Sequence, residues 1–424
     1  MTPLSEICLA IVDCEHKTAP ASSDGTGYPI VRTMNIGRGR LELSNVRRID
    51  SSVYVAWTRR AVPQTGDLIL AREAPVGNVA VVTAGIEPAL GQRTVLIRPN
   101  PEKVDANFLT YRLLAHDIQH WMRGVASGAT VPHLNMEDIR ALPMPALPEL
   151  STQVKIGTAL ASFDDLIENN RRRIEVLEEM ARLLYREWFV HFRFPGHEDV
   201  ELVDSDLGPI PKGWLVCAVR DVAELVRGRS YRRQDLVEDG GLPFLNLKCI
   251  ARGGGFRKSG LKRYDGKYKE AQQAYPGDTV IAMTDMTQER KVVGRAARVP
   301  ALDSNFGIIS LDLTRVLPVD SVDRDYLYGM FRFSSFSETV KEHANGTNVL
   351  HLSPDRISEY RFIMPPTQFQ HSYRTAAKPM HLLVDKLMLQ NEVLREGRDL
   401  LLPRLVSGEL DLSELDLDLD LATV

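Results

Sequence analysis

The sequence predicts an α+β protein with an internal repeat, in which two mixed α/β globules are each followed by a long coiled-coil helix. Three observations predict it. Matched segments recur in the same order at nearly constant spacing, and each half closes on a run of apolar residues four and three apart. The stretches ahead of those runs are short β-branched segments punctuated by Gly, Pro and Asp.

The repeat is carried by three pairings. YPIVRTMNIGRG (Tyr28–Gly39) matches LPFLNLKCIARG (Leu242–Gly253), GDLILA from Gly66 matches GDTVIA from Gly277, and SGATVPHLNMEDI (Ser127–Ile139) matches NGTNVLHLSPDRI (Asn345–Ile357). The steps from Tyr28 to Leu242, from Gly66 to Gly277 and from Ser127 to Asn345 are nearly equal. A unit of this length is a duplicated domain rather than a solenoid repeat.

In chain order, the runs Ser52–Trp57, Asp67–Ala71, Val79–Val82 and Asp278–Ala282 read as strands, and Asn107–Met122 and Asp325–Lys341 read as helices late in each half. The first long seam is Ile156, Leu160, Phe163, Ile167, Asn170, Ile174, Leu177, Ala181, Leu184 and Trp188, with Ser151 as N-cap and Pro195-Gly196 as stop. The second repeats it from Tyr373 onward: Tyr373, Ala377, Met380, Val384, Leu387, Asn391, Leu394, Arg398, Leu401 and Leu405. Asn170 and Asn391 are seam amides of the kind that fix register at a cost in stability. Proline removes a backbone donor, so a bend or late start is expected near Pro379 and an end near Pro403.

These readings divide the chain into a globule (1–150), a central helix (151–193), a Pro/Gly/Asp-rich linker (194–213), a second globule (214–366), a C-terminal helix (367–406) and an acidic tail (407–424). Some 35 residues at 1.5 Å per residue make a rod of roughly 50 Å.

At 424 residues, with 44% hydrophobic and 25% charged residues, the chain suits two or more soluble domains. No apolar run approaches a membrane span, and the start lacks the basic segment of a signal peptide, so no membrane partner and a cytoplasmic location are expected. Cys8, Cys14, Cys217 and Cys249 form no C-x-x-C pair and read as buried, reduced thiols. The net charge of -4 hides a strong asymmetry. Val226–Lys269 carries twelve Arg/Lys against four acids, Gly27–Arg60 carries seven Arg against Glu42 and Asp50, and the tail from Glu409 to Asp420 has six acids and no base. Basic stretches inside the duplicated globules, rather than on the rods, point to nucleic acid.

Catalytic signatures are missing. There is no phosphate-binding G-x-x-x-x-G-K-[ST] loop and no Asn/Asp-Pro-Pro-Tyr/Phe motif of adenine methylation. His116 and His120 stand four apart without an acidic third ligand, so no metal is expected. A single-chain nuclease or methyltransferase would need several hundred further residues, which leaves a non-catalytic DNA-recognition protein or, as the alternative, a coiled-coil scaffold that binds no DNA.

Over nearly its whole length the chain resembles the specificity subunits of type I restriction-modification systems. The resemblance is carried by IVDCEHKTAP near the start, Gly66-Asp67 with AREAPVG, the GATVPHL loop, the central ASFDDLIENNRRRIEVLEEMARLLYREWFVHFRFPG and the C-terminal DLLLPRLVSGEL. The chain departs from the family at Asp13-Cys14-Glu15-His16 and Thr18-Ala19-Pro20, where glycine after the aspartate and an unbroken Thr-Pro are more usual.

The resemblance implies two target recognition domains held apart by an antiparallel, pseudo-twofold pair of helices. Each domain would read one half of a bipartite site in double-stranded DNA. Two methylation subunits would dock on the helices and restriction subunits would join them. S-adenosylmethionine, ATP and Mg²⁺ would belong to those partners, with no cofactor in this chain. A rod longer than a DNA turn of about 34–36 Å fits a split site, and spacer length should follow helix length.

Arg and Lys suit guanine edges and phosphates, and Asn and Gln suit adenine edges. The candidates are Arg32, Asn35, Arg38 and Arg40 in the first half and Asn246, Lys248, Arg252, Arg257 and Lys258 in the second, with Asn35 and Lys248 at closely related positions. The paired loops add Thr130 and His133 against Asn348 and His351. Tyr231, Tyr264 and Tyr268 interleave with the second basic stretch, as stacking groups or as strand packing. Arg171, Arg172, Arg173, Glu178, Arg182, Arg186, Trp188 and Phe189 on the central helix are the candidates for the methylation-subunit interface. The alternating Leu and Asp of the tail suit an added strand or a partner contact.

Overall fold

The computed structural model describes residues 1–128, 131–410 and 412. Two compact units emerge: Met1–Asn170 with the segment from Gln390 onward, and Arg171–Leu389. Each unit thus holds one mixed α/β globule and a stretch of both long helices.

In the first unit a five-stranded sheet has the order Cys8–Asp13, Thr94–Pro99, Leu68–Ala71, Val79–Val81, Gly39–Arg40. In the second, a four-stranded sheet repeats the first four places as Ala223–Arg227, Leu313–Pro318, Thr279–Ala282, Ala296–Arg298. The central strand of each is buried throughout, which is why LILA and TVIA read as unbroken apolar runs. Alternate side chains serve two cores: Leu68 and Leu70 face the helices, while Ile69 and Ala71 face a second cluster. The aspartate ahead of each central strand is tied to the neighbouring strand, Asp67 to Arg98 and Asp278 to Arg315, both at 2.7 Å.

The runs 107–122 and 325–341 are each broken once, into Ala106–Leu114 with His116–Val125 and Arg324–Phe333 with Phe336–Val340. Ser52–Trp57, read as a strand, is instead a helix, Ser51–Trp57. A strand would bury Val53, Val55 and Trp57. Here Val53, Tyr54 and Trp57 pack inward, Tyr54 stacks on Tyr28 at 4.0 Å, and Val55 is 68% exposed.

The two long helices are Leu150–Phe189 and Thr367–Val406, 40 residues each and about 60 Å long. The first begins one residue before Ser151, which therefore does not cap it, and ends six residues before Pro195, with Phe192 in a left-handed conformation (φ 57°) in the turn that follows. The second runs unbroken through Pro379 and Pro403. Each proline forfeits one hydrogen bond, and buried neighbours (Tyr373 and Ala377, Leu402 and Leu405) hold the helix regardless.

Both helices start with the same clasp. The side chain of Gln153 (2% exposed) donates to Pro148 O at 2.9 Å and accepts from Asp105 N at 3.0 Å. Gln370 (1% exposed) donates to Pro365 O at 2.9 Å and accepts from Asp323 N at 2.9 Å. Asp105 and Asp323 in turn cap the helices Ala106–Leu114 and Arg324–Phe333, so one buried amide joins a long helix to its globule.

Within the first unit the helices run antiparallel: Asn170 donates to Asn391 at 3.0 Å, and Asp164 pairs with Arg398. Both amides are buried and satisfied, as a register-fixing seam pair requires. The four cysteines are unpaired, and burial pushes the thiols of Cys217 and Cys249 up to about 11. Asp411 and the tail from residue 413 lie outside the described residues; Leu412 packs with Leu402 and Leu405.

Candidate nucleic-acid interface

The candidate base-reading residues sit in repeated loops. After the strand Tyr28–Val31 comes a 3-10 turn, Thr33–Asn35; after Leu242–Leu245 comes its counterpart, Leu247–Cys249. Inside these turns the candidate amides are already spent. Asn35 accepts from Arg32 N and donates to Glu42 O, both at 3.2 Å, and is 5% exposed. Asn246 accepts from Lys248 N at 3.0 Å, donates to Gly260 O at 2.7 Å, and is 4% exposed. Backbone groups in a buried turn need partners, and these side chains supply them, so neither amide is presented for an adenine edge. The exposed corner of the turn carries Met34 in the first unit and Lys248 in the second; Lys248 therefore corresponds to Met34 rather than to Asn35.

The basic candidates divide. Arg40 is pinned to Asp165 of the central helix at 2.8 Å, and Arg38, exposed, donates to Leu114 O at 3.3 Å. Arg32 is half-buried. In the second unit Arg252 and Arg257 are exposed and Lys258 is half-buried, with Arg257 donating to Lys248 O at 2.8 Å. Tyr264 is strand packing, stacked on Phe244 at 5.0 Å, and Tyr231 meets the same ring edge-on; Tyr268 faces outward.

The GATVPHL loop and its repeat close in the same way. Ser127 and His133 exchange backbone hydrogen bonds at 3.0 and 2.8 Å, as do Asn345 and His351 at 3.0 and 2.9 Å. His133 is half-buried, Asn348 and His351 are exposed, and Thr130 lies outside the described residues. Each loop pairs with the segment leaving the central strand, through Glu73 in one unit and Thr284–Asp285 in the other.

That neighbouring segment holds residues that sequence reasoning missed. Gly77 N donates to Ala71 O and Gly294 N to Ala282 O, so the two glycines correspond, and the second unit has six more residues between them. The longer segment is organised by Asp285, which accepts from Thr287 N at 2.9 Å and Val292 N at 2.7 Å. Burial opposes its charge, but these N–H donors prevail and hold its carboxyl below the usual range. Gln288 then donates to Thr347 O at 3.0 Å and braces the loop, beside an exposed Met286. The shared Val-Gly at 76–77 and 293–294 was the available signal.

A family model described as the type I restriction modification DNA specificity domain matches residues 4–179. The type I restriction enzyme MjaIX specificity subunit of Methanocaldococcus jannaschii is 24% identical over 383 residues, covering 87% of this chain and 83% of that protein. The HindI specificity subunit of Haemophilus influenzae is 20% identical, covering 91% and 96%. Over most of its length the chain is similar to type I restriction-modification specificity subunits. A crystal structure of a type I S subunit from M. genitalium shares the fold with a TM-score of 0.56 at 14% identity, covering 96% of this chain and 95% of that one. No helix among the described residues is long and apolar enough to cross a membrane.

On the central helix the expected partner-facing residues also divide. Phe189 is core: 5% exposed, it packs on Tyr326 at 5.0 Å and Tyr373 at 5.3 Å, so it is withdrawn from the interface. Trp188 is half-buried, edge-on to Phe189 and Tyr373. Glu178 lines a cavity with Tyr328, Arg332 and His381, and burial raises its pKa. Arg182 pairs with Glu179; Arg172 and Arg173 are exposed, and Arg171 and Arg186 half-buried. The apolar groups left open are others. Val176 and Leu183 are 58% and 48% exposed, and their counterparts on the C-terminal helix, Val393 and Leu400, are 61% and 71% exposed. They stand seven apart and off the seam, a spacing visible in the sequence once the seam is drawn.

Proposed function

We propose that the chain binds a bipartite site in double-stranded DNA, one half-site to each α/β unit, and brings partner methylation and restriction subunits to it while catalysing nothing itself. The observation that carries this reading is the repetition of one loop cluster in both units, with exposed basic side chains at Arg38, Lys248, Arg252 and Arg257. Cations there suit a phosphate backbone.

S-adenosylmethionine, ATP and Mg²⁺ are assigned to the partner subunits, and no residue of this chain is assigned to them. The test is to express the chain with its methylation subunit and map N6-methyladenine across the host genome, with and without it. A split motif that depends on the chain is the expected result; a soluble complex that methylates no motif favours the scaffold alternative.

The matched apolar positions Val176/Leu183 and Val393/Leu400 support docking of two copies of one methylation subunit. Charging one position of each pair separately, by Val176→Asp or Val393→Asp, is expected to reduce the complex from two partners to one by native mass measurement. Retention of both partners by both variants refutes the assignment.

A further inference from the structure

The second sheet of each unit carries a different crown on equivalent strands. In the first unit Arg48–Ile49 pairs with Tyr28–Val31, Tyr28 opposite Ile49 and Pro29 opposite Arg48. In the second, Lys262–Tyr264 pairs with Leu242–Leu245, Leu242 opposite Tyr264 and Pro243 opposite Arg263. Arg48 thus corresponds to Arg263, and Asp50 to Asp265. From that shared aspartate the two units part.

The first unit makes the helix Ser51–Trp57. Its inner face is fixed by Val53, Tyr54 and Trp57, which leaves Ser51, Ser52, Val55 and Ala56 on the outer face, all exposed. The second unit makes a tight loop over Tyr264, whose hydroxyl donates to Lys267 O at 2.8 Å. A Cβ on Gly266 would lie 2.5 Å from that phenol, so the close turn requires glycine. The loop turns Lys267, Tyr268 and Lys269 to solvent.

Both crowns are basic to the same degree. Arg47, Arg48, Arg59 and Arg60 flank the helix against Asp50, and Lys262, Arg263, Lys267 and Lys269 accompany the loop against Asp265. Some of these charges are locally engaged, Arg59 and Arg60 with Glu15 and Arg263 with Asp303. A small apolar and hydroxyl surface at the centre of a basic rim matches a DNA major groove, which admits a helix or a narrow ribbon.

We infer that this crown is the base-reading element of each unit, and that its two forms set two different half-sites. The Ser52/Val55/Ala56 face takes a step bearing a thymine methyl, and the Lys267–Lys269 loop takes guanine edges. The inference rests on the DNA-binding reading above and assigns specificity to residues outside the 3-10 turns and the GATVPHL loops.

The test uses the assembled complex with its methylation subunit. N6-methyladenine is mapped for the wild type, for Val55→Ala and Ser52→Ala, and for the double variant Lys267→Ala/Lys269→Ala. A melt by circular dichroism confirms that each variant folds, and these truncations of exposed side chains are expected to leave folding unchanged. The expected result is a roughly ten- to hundredfold weaker base preference in one half-site for the helix variants and in the other for the loop variant. An unchanged motif in every variant overturns the crown assignment while the DNA reading stands. So does a uniform, salt-dependent drop in methylation with the motif intact, which marks phosphate contacts only. If the wild type itself methylates no motif, the DNA-binding reading fails and this inference with it.

Discussion

The two units hold the same architecture with different chemistry where globule meets helices. In the first, Asp164, 6% exposed, accepts from the Tyr111 hydroxyl at 2.6 Å and from Arg398, which also donates to Arg38 O at 3.2 Å. The offset that relates the two seams also gives the corresponding positions of the second unit: Tyr328 for Tyr111, His381 for Asp164, and Ala181 for Arg398. At those positions the ion pair is gone, and one helical turn on Asp385 pairs with Arg298 of the globule at 2.5 Å. His381 meets Tyr328 edge-on at 5.3 Å, its ring nitrogens make no hydrogen bond, and its nearest carboxylate partner is Asp325 at 3.6 Å. A cavity of about 30 Å³ remains, lined by His381, Glu178, Arg298 and Arg332.

The difference teaches what the duplication constrains. The glutamine clasps, the aspartate–arginine ties of the central strands and the glycines after them recur because backbone geometry depends on them. The clamp between globule and helix keeps its charged character but moves: the second unit ties its globule to the C-terminal helix through Arg298 and Asp385 rather than at the positions of Asp164 and Arg398.

Breaking the charged clamp is the largest expected effect. Arg398→Met leaves Asp164 buried without its cation and should cost the first unit about 3–5 kcal/mol by denaturant unfolding. Replacing both, Asp164→Leu with Arg398→Met, should recover most of it. A loss under about 1 kcal/mol for the single variant would remove the charge from the account of this unit.

In the second unit the comparable load falls on rings. Phe189→Ala should cost about 3–5 kcal/mol through cavity formation. Partner binding by the folded protein should be unchanged, and a selective loss of binding at full stability would return Phe189 to the interface.

The clasps sharpen the comparison from the other side, because there the units agree. Gln153→Ala and Gln370→Ala should each cost about 1–3 kcal/mol, by similar amounts, since each strands a buried N–H and a buried carbonyl. Unequal costs would show that the repeat is geometric without being energetic.

The smallest effect concerns Glu178. Burial raises its pKa in the fold, so folding favours the protonated form, and stability is lost as pH rises from the unfolded carboxylate range through the folded pKa. Glu178→Gln should therefore gain on the order of 1 kcal/mol or less at pH 7 and nothing at pH 3. A gain that persists at pH 3 would point to packing instead.

Much of this was legible beforehand in places where periodicity carries the information. The seams from Ile156 and Tyr373 and the strands at Leu68–Ala71 and Thr279–Ala282 follow from spacing alone, because burial on one face repeats along the chain. Ser51–Trp57 misled because β-branched residues suggest a strand, while its inward face is set by Tyr28, Ile30 and Ala89, which arrive from elsewhere in the chain. The prolines of the C-terminal helix misled for the converse reason: local cost is visible in sequence and compensating packing is not.

By itself the sequence determined the duplication, the two long helices and the amides on their seams. Only the tertiary structure decided which polar side chains remain for a ligand. Asn35 and Asn246 looked available until their turns closed and claimed them, and Met34, Gln288 and the face bearing Val55 came into view only once those turns were placed. The physical reason is that a buried backbone donor or acceptor must be satisfied, and which nearby side chain satisfies it is settled only when the turn folds back on itself and is buried.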